Sequence, residues 1–190
     1  MIERTLILIK PDAVQRGIAG EILARFERTG LKIVGIKMVK ASQELAKKHY
    51  TDALIPIVGN KTKKDWDAAG IKHTETPEQI GTMIVNSIRQ MLTNHPVIAL
   101  CLEGIQAVEN VRKIVGSTGC KDALPGTIRG DYGHVSLGYA SIKKRGIANL
   151  IHASGNPQEA QQEITLWFAP HELQTYKSAH DEHILHLNDW

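Results

Sequence analysis

Apolar and polar positions fall into blocks whose length and period predict the elements. Thr5 to Ile9 is a short, nearly unbroken apolar run halted by Pro11, which predicts a buried strand. From Gly20 to Thr29, Ile22, Leu23 and Phe26 recur at helical spacing and Gly30 follows, the pattern of a helix with a glycine C-cap. Leu31 to Val39 is rich in β-branched residues and predicts a second strand. Ser42 is placed to cap a short helix reaching Tyr50, with Glu44 in its first turn. Residues 51 to 75 show no clean period and carry Pro56, Gly59, Gly70 and the basic cluster Lys61, Lys63 and Lys64. They are expected to be irregular, with the lysines in solvent. Thr76-Pro77-Glu78-Gln79 is a capping box, and Ile80, Ile84, Ile88 and Met91 then form one apolar face to about Leu92. Val97 to Leu102 predicts a third strand, and Ile105 to Val115 a helix closed by Gly116. Gly116 to Gly133 predicts a long glycine-rich loop, and Asn149 to His152 a last strand. Asn156-Pro157-Gln158-Glu159 opens a final helix through Phe168, which Pro170 stops. Strands alternating with helices predict an α/β or α+β sandwich, a sheet with helices on it.

Composition narrows the class without naming it. The 190 residues are 42% hydrophobic and 23% charged, the balance of a globular protein and enough chain to bury a core without staples. A net charge of +3 is too small to argue for nucleic acid and suits a phosphate-bearing small substrate equally well. No apolar run is long enough for a signal-peptide core or for the roughly 20 residues of a membrane span. Two cysteines, Cys101 in an apolar run and Cys120 in a polar loop, give no disulfide framework, so a reducing, cytoplasmic setting is expected.

The common phosphate cradles are absent. Gly59-Asn60-Lys61-Thr62 only mimics the tail of a P-loop, and no G-x-G-x-x-G follows a strand. Two other stretches carry chemistry. Leu124-Pro125-Gly126-Thr127-Ile128-Arg129-Gly130-Asp131 sets an arginine among glycines, where the backbone turns sharply and the guanidinium fork suits phosphate oxygens. A surface turn tied by an Arg129–Asp131 pair would have the same composition. Asn149-Leu150-Ile151-His152-Ala153-Ser154 ends a strand four residues before a helix N-cap, and a neutral imidazole there is nucleophilic. Glu163, eleven residues on, is placed to orient that ring. Lys10, Tyr50, Arg112 and Thr118 gain interest only alongside these two motifs. In the tail, the spacing of His180, His183 and His186 could present one helical face to a metal, although a solvated terminal helix needs no such role.

Taken together, Glu3 to Gly17, Pro125 to Asp131, Asn149 to Ser154 and Glu163 to Phe168 resemble nucleoside diphosphate kinases, four motifs in the family's order. The resemblance implies a ferredoxin-like α/β sandwich with an antiparallel four-stranded sheet, assembled as a homo-oligomer, a hexamer or tetramer. It implies a ping-pong reaction in which a nucleoside triphosphate gives its γ-phosphoryl group to a histidine and a nucleoside diphosphate takes it. His152 matches the nucleophile and Glu163 the glutamate holding it. Lys10 matches the lysine near ribose and transferring phosphate, and Tyr50 the tyrosine beside the histidine. Arg112, Thr118 and Arg129 match the phosphate-binding side chains, and Asn149 the asparagine on the ribose. Mg2+, held mainly by the nucleotide phosphates, is the implied cofactor; no membrane and no specific nucleic acid are implied partners. The four motifs are all present, as a catalytically silent nucleotide binder would not require.

The chain also departs from the pattern. It reads as one domain with insertions at about 54–92 and 134–147, the second carrying Lys143, Lys144 and Arg145. The family's base-stacking phenylalanine has no counterpart, since Phe26 and Phe168 fall on other elements; Trp66 is one substitute, unless it packs the insertion on itself. Ala53 stands where many members have a phosphate-contacting histidine, and Ala153 and Gly155 replace a glycine and an aspartate beside the nucleophile. Nothing in the sequence marks polar residues that would read the edge of a base.

Overall fold

The computed structural model describes residues 2–184; His186 lies outside them. The elements run β1 (Ile2–Ile9), α1 (Pro11–Gln15), α2 (Ala19–Glu27), β2 (Lys32–Val39), α3 (Gln43–His49), α4 (Leu54–Ala68) and α5 (Pro77–Asn94). Then come β3 (Val97–Ile105), α6 (Ala107–Val115), α7 (Ile128–Tyr132), α8 (Leu137–Ile142), β4 (Ile151–Ala153), α9 (Pro157–Trp167) and α10 (Ala179–Ile184). The strands form one antiparallel sheet in the order β2-β3-β1-β4, the four-stranded arrangement of a ferredoxin-like fold.

β1 reads as an unbroken apolar run because both its faces are covered. Ile7 and Ile9 join Phe26, Leu100 and Val111 on one side of the sheet. Leu6 and Leu8 join Cys101, Trp167 and Phe168 on the other. Leu6 through Ile9 are 0% exposed, each contributing about 1.5–3 kcal/mol by leaving water. The predicted caps hold: Ser42 Oγ accepts from Leu45 N, Thr76 and Gln79 close a capping box, and Asn156 Oδ1 accepts from Glu159 N. Gly30 and Gly116 take positive φ where α2 and α6 stop.

Residues 51 to 75 correct the sequence reading: most of them form α4, fifteen residues long. Pro56 is tolerated in its first turn, where its N–H would have no partner. Gly59 is what α4 needs to reach α5, since a Cβ there would meet Pro77 O at 1.8 Å, and one on Gly81 would meet Ile55 O at 2.0 Å. The two helices therefore cross backbone to backbone. Trp66, Ile80 and Ile84 form a third, smaller core beneath them. The glycine-rich stretch also holds a helix, α7, capped by the Thr127 side chain, and residues 134–147 hold α8, capped by Ser136. Trp66 is 3% exposed and its Nε1–H donates to Ser141 Oγ at 3.0 Å, so it ties α4 to α8 and is not free to stack on a ligand. Cys101 is a core residue as expected. Cys120 is a free thiol as well, but it is buried, at 3% exposure, against Gly133. No described helix is long and apolar enough to cross a membrane.

Candidate active site

The end of β1, the loop entering β4, and α6, α7 and α9 bring the predicted residues to one place. β4 lies at the sheet edge with His152 opposite Leu8. Leu150, two residues earlier, sits at φ 72, a conformation that costs a non-glycine residue about 1–3 kcal/mol. It is held there from both sides: Leu150 N donates to Asp12 Oδ2 at 2.9 Å, and Lys10 N donates to Leu150 O at 2.8 Å. Asp12, which the sequence marks only as one residue of the Glu3 to Gly17 motif, thus fixes the approach to the histidine.

His152 Nε2 lies 2.8 Å from Glu163 Oε1, and the Ser154 hydroxyl donates to Glu163 Oε2 at 2.5 Å. With Glu163 ionised, the shared proton sits on Nε2, leaving the Nδ1 lone pair free. Burial, followed by the nearby charge of Lys10, lowers His152 to about 3, so the ring is neutral at neutral pH. Burial raises Glu163. His49 was missed by sequence reasoning, although it adjoins Tyr50. Its side chain is 0% exposed, stands edge-on to His152 with ring centroids 4.6 Å apart, and its Nδ1 accepts from Trp167 Nε1 at 3.2 Å. Burial, and then His152, lower it to about 3 as well. Tyr50 also meets His152 edge-on at 6.1 Å, and burial pushes its phenol up.

The cations form the opposite side. Lys10 Nζ donates to Asn149 Oδ1 at 2.7 Å, and Asn149 Nδ2 donates to Thr118 O at 2.8 Å. Burial, followed by Arg129, lowers Lys10 to about 8. Arg129 is not paired with Asp131. It donates to Asn149 O at 3.2 Å, Gly116 O at 2.9 Å and Ile151 O at 2.6 Å. Three of its five N–H groups are so used and two remain. Burial lowers Arg129 to about 10, leaving it charged at neutral pH. Asp131 instead pairs with Arg25 and accepts from Gly126 N at 2.8 Å, bracing the loop from outside. The Arg112 side chain has no hydrogen-bond or ion-pair partner among the described residues, and its Nη1 would lie 3.9 Å from a Cβ on Gly155.

These groups line a cavity of ≈ 630 Å³, a size that suits a nucleotide. Lys10, Tyr50, Arg112, Thr118, Arg129, Asn149 and His152 all face it; Glu163 stands behind His152. The remaining wall comes from α4, α5, α8 and the segment after α8, through Ile57, Lys61, Asp65, Leu137 and Arg145 among others. Of the sequence's basic cluster, then, Lys61 faces the cavity, whereas Lys63 pairs with Asp67. Among the described residues, the one group of three metal-capable donors is His49, His152 and Glu163, and these already bind one another or Trp167. His180 and His183 lie on the short helix α10 and form no such group with a third described residue.

Lowered histidines make a pH prediction. The unfolded chain takes protons on these imidazoles below about 6.5, while the folded site refuses them until about 3. Stability is therefore lost as pH falls through that window. In an NMR titration, the imidazole signals of His49 and His152 should stay unchanged from pH 5 to pH 8. A midpoint near 6.5 for His152 would contradict this geometry.

A family model described as nucleoside diphosphate kinase matches residues 3–55 and 73–173, skipping most of α4. A nucleoside diphosphate kinase of Pyrobaculum aerophilum is 43% identical over 179 residues, covering 90% of this chain and 98% of that one. One of Pyrococcus furiosus is 43% identical over 180 residues, covering 95% and 91%. Among solved structures, an NDP kinase from Pyrobaculum aerophilum superposes with a TM-score of 0.86 at 40% identity, covering 92% of this chain and all of that one. A transition state mimic of the Borrelia burgdorferi nucleoside-diphosphate kinase, with bound vanadate and ADP, gives 0.78 at 37% identity, covering 96% of each chain.

Proposed function

Because the chain belongs to the nucleoside diphosphate kinase family, its activity is phosphoryl transfer between nucleoside tri- and diphosphates, and we propose that His152 Nδ1 is the atom that carries the group. The observation supporting this most strongly is the 2.8 Å contact between His152 Nε2 and Glu163. It ties down one ring nitrogen and leaves the other for a ligand in the cavity that His152 lines with Lys10, Arg112 and Arg129.

The donor triphosphate lies with its phosphates against Arg112, Arg129, Thr118 and Lys10, and its ribose at Asn149 and Lys10. The Nδ1 lone pair attacks the γ-phosphorus in line. The bond from that phosphorus to the β–γ bridging oxygen breaks, and its electron pair leaves on the diphosphate. The imidazole gains positive charge as the N–P bond forms, and the Glu163 carboxylate, braced by Ser154, stabilises it through Nε2–H. A second diphosphate then attacks the same phosphorus from the vacated position and restores the neutral ring. Passing through phosphohistidine lets one pocket serve two bulky polyanions in turn.

We assign Mg2+ to the nucleotide. The donor set around the phosphate end is cationic and hydroxylic, and Glu163 is already engaged, so phosphate oxygens and water would be the ion's ligands. Its contribution when bound is neutralisation of charge on the β- and γ-oxygens. Segments 54–92 and 134–147 are read as insertions into a single domain that complete the pocket wall. A homo-oligomer, hexamer or tetramer, is in keeping with the edge position of β2, where Ile36 and Met38 are 52% and 61% exposed; such an edge invites a partner. A cytoplasmic location fits the two unpaired, buried thiols.

The reaction is tested by incubating the protein with ATP labelled in the γ-position. One acid-labile, base-stable phosphoryl group per chain is expected, and GDP should discharge it as labelled GTP. Exchange with no labelled protein at any time would mean direct transfer and would overturn the phosphohistidine.

A further inference from the structure

The start of α9 holds a carboxylate that the transfer reaction leaves unused. Gly155 precedes the N-cap Asn156, and a Cβ built on it would meet Glu159 Oε2 at 2.6 Å. The glycine therefore leaves open the space that the Glu159 carboxylate fills. Two bonds pin the residue there: Gly155 N donates to Glu159 Oε2 at 3.1 Å, and Asn156 Oδ1 accepts from Glu159 N at 2.8 Å. The same point on Gly155 lies 3.9 Å from Arg112 Nη1. A carboxylate and a guanidinium thus flank one spot, no farther apart than those two distances laid end to end, with no direct ion pair between them. One water molecule can bridge a gap of that size.

Arg112 is the cation of the site that needs such a neighbour. Lys10 and Arg129 are buried and tied to oxygen atoms of Asn149, Gly116 and Ile151. Arg112 is exposed on α6 and has no partner among the described residues. It faces those two fixed cations and the N-terminus of α9, whose free N–H groups carry positive charge. Together they repel it towards solvent, away from the cavity it lines. Glu159 does not line that cavity, so its charge can oppose the repulsion from outside without occupying the space of a phosphate. Both side chains are felt at His152, where Glu159 favours the protonated ring and Arg112 opposes it.

We propose that Glu159 is a positioning residue: its carboxylate, seated in the space that Gly155 leaves open, holds Arg112 at the phosphate end of the cavity. The role rests on the phosphoryl-transfer reading above. It accounts for an acid kept beside a site for polyanions, where charge repulsion alone would disfavour it. It also makes Gly155 and Glu159 a matched pair, since any side chain at residue 155 would have to displace the carboxylate.

The experiment titrates the full chain with ADP by calorimetry and, in parallel, follows labelling by γ-labelled ATP. Glu159→Gln keeps an oxygen for Gly155 N and removes only the charge, so the start of α9 stays capped. Repulsion alone predicts that this variant binds ADP more tightly, and positioning predicts the reverse. Its affinity should fall about threefold, the size of an exposed ion-pair contribution. In an Arg112→Ala background the same substitution should leave ADP affinity unchanged or improve it. Unchanged or tighter binding in Glu159→Gln alone would overturn the proposal. So would a threefold loss that persists without Arg112, which would make Glu159 a support for the helix start and nothing more. Absence of label from the unaltered protein sinks the phosphohistidine reading instead, an outcome distinct from an ADP affinity that is indifferent to Glu159.

Discussion

His152→Ala abolishes phosphoryl exchange, by at least about a thousandfold, and removes the labelled phosphoprotein altogether. The size follows from the role: losing the nucleophile of a two-step transfer removes both steps, and nothing else near the cations has a free nucleophilic nitrogen. Lys10 is bonded to Asn149, and His49 uses Nδ1 on Trp167. The fold should survive, because the substitution leaves one acceptor of Glu163 unpaired, a cost of about 1–3 kcal/mol, while Ser154 still holds the other oxygen. Rapid-quench labelling with ATP, alongside a thermal melt, separates the two effects. A variant that still melts cooperatively and takes label on nitrogen would move the nucleophile to another residue.

Arg129→Ala has the second largest effect, and it combines two losses. The side chain offers two N–H groups to phosphate and uses three to hold Gly116 O, Asn149 O and Ile151 O. Removing charge from a phosphoryl-transfer site costs on the order of a thousandfold in rate. Removing the anchor takes a donor from Gly116 O and Ile151 O beside the strand that carries His152, while Asn149 O keeps Ile151 N, costing about 2–4 kcal/mol. Both kcat and the melting temperature should fall, the melting temperature by more than in His152→Ala. Arg129→Lys should rescue little of either, since a single ammonium cannot span three carbonyls and a phosphate. Full activity in the lysine variant would show that charge alone was needed.

Much of this was legible in the chain. Caps are local, so Ser42, Thr76 and Asn156 could be read from their neighbours, and strands buried on both faces show as apolar runs. The motif residues around Lys10, Arg129, His152 and Glu163 could be found by their resemblance, and the structure brings them together. What could not be read depends on contacts distant in sequence. α4 reads as irregular in sequence because Pro56 and Gly59 weaken helix propensity; the pairing of Gly59 with Gly81 that makes the glycine necessary lies 22 residues on. Trp66 looked available for stacking until Ser141, 75 residues away, was seen to accept its N–H. Lys61 reads as a solvent lysine in sequence, and only the packing of α8 opposite α4 makes it part of a cavity wall. His49 carried a signal only in its adjacency to Tyr50. Its packing against His152 requires α3 and β4 to meet across the sheet edge.

The third core, made by Trp66, Ile80 and Ile84 beneath the α4–α5 pair, is small and separate from the two that sandwich the sheet. A satellite core of few residues opens at a lower free energy than the layers it adjoins. Hydrogen exchange is therefore expected to be faster along α4 and α5 than along β1 and β3, one side of the cavity loosening before its floor.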